Sequence, residues 1–323
     1  MCNLHIIDKM MVLLFISTTS TSVSDDDWLV LRNSGLDRFK SGNSNVVLYY
    51  SHLQKTGGTL LCNLVQWYGL IGNVRENCNV QPGTYLLKDN VRQWRHMNAS
   101  EHLAAVRQYK LRFVANEVQL PSQSLPSPDQ LVYMTTIRPP LERLVSYYVQ
   151  MHANSRINID PEVFWTWAFR DSDAFYNNNH YTRYFSGLCT PHRLCSSIVA
   201  LQHAAHRLHT HYSAALCMYS LHDEWDQWAR ERLGLVYNAN ATLRTYGRTP
   251  PARHQNGTLT LTRRIFGDVH GRMLALRKRN ELDIILYTHI MLPLHRRSFP
   301  HSSECRAPHN GHDAFFRQLH GHN

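Results

Sequence analysis

No apolar run in this 323-residue chain is long enough to cross a bilayer as a helix. The N-terminal run from Met10 to Ile16 holds seven apolar residues, and no later segment does better. The nucleotide-loop spacing G-x-x-x-x-G-K-[ST] is absent, as is a Walker-B acidic partner, which argues against a kinase or nucleotide phosphohydrolase. Zinc-finger, RRM and homeodomain patterns are missing, so nucleic acid is not the expected partner. Cysteine spacing is wrong for a zinc site, no His pair stands at ligand spacing, and a metal is not expected. There are no repeats and no heptads. Acidic residues are in deficit, with 24 Asp plus Glu against 34 Lys plus Arg, and the net charge of +10 favours anionic partners.

What is present begins with the ends of the chain. Residues 1–24 combine Lys9, the short apolar run and small polar residues, and resemble a signal peptide. Cleavage and weak membrane association through this segment both stay open. Residues 25–45 are polar and read as a stem or loose arm; residues 46–297 form the main domain; residues 298–323 read as a loose, His-rich tail. Sequons at Asn98, Asn240 and Asn256 add to the case for the secretory pathway. The twenty-one histidines would add positive charge in a mildly acidic lumen. Removing Cys2 with the leader leaves six of the seven cysteines, of which Cys189 and Cys195 enclose a Pro-containing loop and are the best candidate disulfide, with a pair of free thiols as the alternative.

Residues 46–61, VVLYYSHLQKTGGTLL, run from a β-branched, apolar stretch through a polar loop into apolar positions at helical spacing. This is the pattern of strand, anion-cradling loop and helix. Gly57 and Gly58 let the backbone approach an anion, and Lys55 adds a mobile point charge. Residues 131–148, LVYMTTIRPPLERLVSYY, repeat the plan with a strand, Pro139-Pro140 at a helix start, Arg138 at the strand end and Ser146 two turns on. Arg143 and Ser146 share a helix face by spacing. An Arg and a hydroxyl so placed can grip one phosphate from two sides.

The string His52-x-x-Lys55-Thr56-Gly57-Gly58-Thr59 resembles the 5′-phosphosulfate loop of Golgi carbohydrate sulfotransferases, closest to the heparan sulfate 6-O- and 2-O-sulfotransferases. T-x-x-R-x-P-x-x-R-x-x-S-x-Y, ending in Ser146 and Tyr148, is similar to that family's 3′-phosphate motif, with Pro139 where many members have Asp. Asn178, Asn179 and Arg183, in NNNHYTRYFSGLC, resemble a 6-O-type segment near the acceptor, and residues 281–297 resemble the family's last helix. The resemblance implies PAPS (3′-phosphoadenosine 5′-phosphosulfate) as sulfuryl donor, a polysaccharide acceptor and a Golgi location. It also implies donor contacts from Lys55, Thr56, Gly57, Gly58, Thr59, Arg138 and Ser146, with Arg248 on a basic loop folding over the donor. The family's base, a His after the second strand, is missing from Phe113-Val114-Ala115-Asn116-Glu117, so Glu117 is the expected base, with His102 second. His52 reads as structural. A catalytically inactive glycan-binding relative is the alternative that the missing His raises.

Alternating strands and helices predict a P-loop-like, three-layer α/β fold with a central parallel sheet flanked by helices. Expected strands are residues 111–115, 131–137 and 216–219 besides the one starting at Val46. Expected helices include one capped by Ser100, one from Asp160-Pro161 to Arg170, and residues 192–211 and 221–233.

Overall fold

The computed structural model describes residues 24–70, 99–108, 111–117, 124–153, 160–188, 197–237, 265, 270–302 and 305. Four strands, β1 (Val47–Ser51), β2 (Phe113–Asn116), β3 (Leu131–Ile137) and β4 (Tyr212–Cys217), form one sheet in the order β2-β1-β3-β4. Every pairing is parallel, with Leu48 opposite Phe113 and Val132, and Thr135 opposite Ala215. All five residues of β1 are buried, as a strand covered on both faces must be.

The side-chain alternation of β1 sorts the core into two layers. Val47 and Tyr49 join Tyr133 on the face covered by α7 (His180–Ser186) and α8 (Ile198–His211). Leu48 and Tyr50 join Met134 on the face covered by α2 (Gly58–Trp67) and α9 (Leu221–Glu231), whose Trp225 and Trp228 fill the space. A third apolar cluster unites α4 (Pro140–Ala153) with α5 (Pro161–Ala168). The remaining elements are α3 (Ala99–Gln108), a 3₁₀ turn at Asp171–Asp173, α6 (Ala174–Asn177), α10 (His270–Arg279), α11 (Glu281–Leu286), a π-turn at Tyr287–Met291 and α12 (Leu292–Ser298). The three-layer expectation holds. Among the described residues no helix is long and apolar enough to cross a membrane.

Three expectations are corrected. The loose arm is a helix, α1 (Asp25–Lys40), which Ser24 and Asp27 start with a reciprocal capping box. It buries Leu36 and Phe39, each a contribution of roughly 1.5–3 kcal/mol, and packs on α8, β3 and β4. The strand expected at 216–219 begins at Tyr212, directly after α8, without an intervening loop. The start of the tail is fastened: Phe299 is buried, and Cys305 is disulfide-bonded to Cys217 at the end of β4, while residues 306–323 lie outside the described residues. Cys62 is likewise disulfide-bonded. Cys189 and Cys195 lie outside the described residues. Smaller shifts are the second strand, at Phe113–Asn116, Ser100 inside the first turn of α3, and helix ends at Ala168 and Glu231. Asp160 and Pro161 serve as N-cap and first turn as expected.

Several histidines do not charge in mild acid. His211 ends α8, buried against Trp28 and Tyr133, with Nδ1 bonded to the Thr210 hydroxyl. Burial, then the Arg207 charge, holds its pKa down to about 3. Burial and Arg143 likewise hold His180 well below the ordinary value. Such a group is neutral when folded and takes a proton only on unfolding, so its contribution is present above pH 6.5 and is lost as pH falls. The protein is expected to lose about 2 kcal/mol through His211 between pH 6.5 and 5, and His180 adds in the same direction. Tm measured across that range should fall, and His211→Asn should flatten the slope; an unchanged slope would count against this assignment.

Candidate functional site

Parallel strands release the chain at one edge, so the turns after β1, β2 and β3 meet. The β1 turn is the most constrained. Lys55 adopts φ 70° and Gly57 φ 100°. Such left-handed residues between ordinary ones aim successive N–H groups to one side. The left-handed region costs a non-glycine residue such as Lys55 on the order of 1–2 kcal/mol. The N–H groups of Lys55, Thr56, Gly57 and Gly58 meet no acceptor among the described residues. Gly57 is the N-cap of α2 and offers no side-chain cap, so the helix start adds its own positive end. The result is a cradle of backbone donors that fits a phosphate or sulfate group.

Thr56 does not act as expected. Its hydroxyl donates to the Leu53 carbonyl at 2.8 Å and pairs with Thr136 Oγ1 at 2.7 Å, fully buried. Tyr50 adds its own hydroxyl to Thr136 at 2.7 Å. This chain of hydroxyls ties β1, the turn and β3 together, so Thr56 holds the loop and only its N–H remains for a ligand. Thr59 lies partly exposed in the first turn of α2.

His52 and Glu117 are brought together by register. Ser51 pairs with Asn116, and the next residue of each strand is His52 and Glu117. Nδ1 of His52 lies 3.3 Å from Oε1 of Glu117. The imidazole stacks on Tyr50 and is 3 % exposed, whereas the Glu117 side chain is 26 % exposed. Its other face is pressed on the start of α2: a Cβ on Gly58 would stand 1.6 Å from Nε2. The carboxylate, not the ring, therefore faces outward. Glu117 was expected from its place after the strand; its pairing with His52 was missed, although the shared register was a usable signal.

Arg138 follows β3, largely buried, with Nη1 3.5 Å from the Lys55 carbonyl and Nε 3.9 Å from Oε2 of Glu142. Tyr219 donates to the same Glu142 oxygen, and Tyr181 donates to the Arg138 carbonyl at 2.8 Å. Ser146 sits on α4, 8 % exposed. Arg143 leaves that face for the core, where it donates to the Tyr176 carbonyl at 2.5 Å beneath the Tyr147 and Tyr181 rings. Burial first, then the Arg138 charge, lowers the Lys55 pKa, and Glu117 opposes the shift. Lys55 thus feels both the Arg138 and the Glu117 charge across three strand ends.

The expected acceptor residues go elsewhere. Asn179 is the buried, left-handed N-cap of α7, donating to the Arg279 carbonyl and accepting from the Asp283 N–H. Arg183 is buried, with burial lowering its pKa to about 10 against the opposing charge of Asp283. Asn178 borders an open groove with Phe169, Lys278 and Arg279. His102 lies on α3, its side chain outside the description; Arg248, Asn98, Asn240 and Asn256 lie outside the described residues.

Comparison with known proteins finds no matching family model, no matching curated protein and no matching solved structure. Among the described residues no group of three or more His, Cys, Asp or Glu could hold a metal ion.

The Gly58 contact yields a stability test. Gly58→Ala drives a methyl group into His52 and is expected to cost roughly 1–3 kcal/mol by overpacking. Gly42→Ala, at φ 83° with open space around it, should cost only the backbone strain of about 1 kcal/mol. Chemical denaturation of both variants checks the order; equal losses would show that His52 yields freely.

Proposed function

We propose that the protein is a PAPS-dependent sulfotransferase that moves a sulfuryl group to a hydroxyl of an anionic polysaccharide, with 6-O transfer on a hexosamine the favoured position. The observation that carries this reading is the convergence of Lys55, Arg138 and the Glu117 carboxylate around a turn with four open N–H donors. The motif likeness to Golgi sulfotransferases and the net charge of +10 support it. The Cys217–Cys305 disulfide suits an oxidising secretory compartment such as the Golgi lumen.

PAPS supplies a sulfuryl group on a phosphate leaving group. The β1 turn would hold the 5′-phosphate through the N–H groups of residues 55–58, and Lys55 would place positive charge where the departing phosphate gathers negative charge. Arg138 and Ser146 would hold the distant 3′-phosphate. Glu117 would take the proton of the acceptor hydroxyl as its oxygen bonds to sulfur and the sulfur–phosphate oxygen bond breaks. His52, donating to Glu117 from a fixed position, would aim the carboxylate.

Incubating the protein with labelled PAPS and a glycan panel tests the whole reading. Transfer to anionic polysaccharide that weakens with salt is expected. PAPS binding without transfer would leave an inactive glycan-binding relative, and ATP binding without PAPS binding would point to a kinase.

Lys55→Ala should abolish transfer, while Arg138→Ala should chiefly weaken donor affinity by about ten- to a hundredfold, the worth of one charge-assisted contact. Titration of PAPS by calorimetry measures the second effect; near-normal affinity in Arg138→Ala would sink the 3′-phosphate assignment.

Glu117→Gln keeps the shape and a hydrogen bond to His52 but removes the base. Turnover is expected to fall about 10²–10⁴-fold with PAPS affinity retained. Full activity in this variant would move the base elsewhere, with His102→Ala the next substitution to assay.

A further inference from the structure

At the opposite edge of the sheet, where the strands begin, a cleft of about 280 Å³ opens between α1, β4, α9 and α12. It is separated from the Lys55 turn by the length of β4. Arg32, Arg232 and Arg297 line it together with the polar Asn33, Ser213 and Ser298, and no carboxylate is in the lining. Arg32 forms the floor: it is 6 % exposed, and Nη1 donates to the His209 carbonyl. Arg32 has no ion-pair partner among the described residues. A buried cation without a counter-charge costs several kcal/mol unless something offsets it.

The surroundings make the deficit sharper. Arg297 also has no hydrogen-bond or ion-pair partner among the described residues, and Arg32's own burial, then the Arg297 charge, lowers the Arg32 pKa to about 10. Asp25 is the carboxylate that acts on both, and it is already bonded to Nε2 of His209 at 3.2 Å. Arg232 reaches Asn33 at 3.3 Å and stays exposed at the mouth. The Ser213 hydroxyl is buried without a hydrogen-bond partner among the described residues. Three guanidinium groups and an unused hydroxyl therefore share one small, amphipathic space, and what they lack in common is an oxyanion.

We propose that this cleft is a second anion site, distinct from the one at the Lys55 turn, which takes a single sulfate- or phosphate-type group between Arg32, Arg232 and Arg297. The volume is at the low end for organic ligands, so the anion stands alone or on a body no larger than one sugar ring. The anion relieves the repulsion between Arg32 and Arg297 and gives Ser213 an acceptor. This inference does not depend on the sulfotransferase reading.

The test is thermal stability of the full chain titrated with sodium sulfate, sodium phosphate and a monosaccharide sulfate ester, each against sodium chloride at matched ionic strength. A saturable rise in Tm beyond the chloride control is expected. It should persist in Arg138→Ala, which removes an anion contact at the other edge. In Arg297→Gln the apparent affinity should fall about ten- to a hundredfold, and Tm in sulfate-free buffer should rise because a repulsion is gone. Arg232→Gln, at an exposed position, should weaken binding without touching the floor, and serves if the first variant folds poorly. Tighter binding of the sugar sulfate than of inorganic sulfate assigns the site to a glycan unit; equal binding assigns it to the free ion. An unaltered sulfate response in both arginine variants, or its loss in Arg138→Ala alone, would overturn the proposal.

Discussion

The arrangement depends on one buried carboxylate. Asp283, 1 % exposed, accepts the N–H groups of Tyr181 and Thr182 at 2.9 and 2.7 Å, both in the first turn of α7. Burial raises its pKa, and those two N–H bonds together with Arg143 act to keep it charged. Around it Asn280 accepts from the Asn179 N–H while the Asn179 side chain accepts from the Asp283 N–H, a reciprocal pair. α7 so fixed presents Tyr181 to the Arg138 carbonyl and Tyr184 to the Asn116 carbonyl. Those are the ends of β3 and β2, so a contact in the C-terminal helices sets the backbone of two of the three turns that form the candidate site.

That lock explains which parts of the site could be read in the chain and which could not. The β1 turn and Arg138 were legible because each follows directly on a run of apolar, strand-forming residues, and the chemistry lies within a few positions. The Asn178–Arg183 segment and the Asp283 helix were both visible as motifs, but their relation was not. They meet across about a hundred residues of sequence, and no local pattern announces that two polar segments will satisfy each other. Buried polar groups of this kind must be paired, and here the pairing is with the protein rather than with a ligand.

Secondary structure failed for similarly physical reasons. The helix α1 is polar on average, and only the Ser24–Asp27 spacing marked its start. β4 contains Ala214 and Ala215, weak strand formers, and follows His211 without a turn residue, so its buried position in the sheet decides its conformation rather than local preference. The two cations of the β1–β3 corner were legible as residues but not as neighbours. Their mutual effect arises only when parallel pairing sets the turns side by side.

The link between Cys217 and Cys305 closes a loop of 88 residues. The bond ties the segment after α12 to the strand on which α12 packs. It therefore closes the C-terminal helices onto β4 covalently, and takes from the unfolded chain the freedom of a long loop.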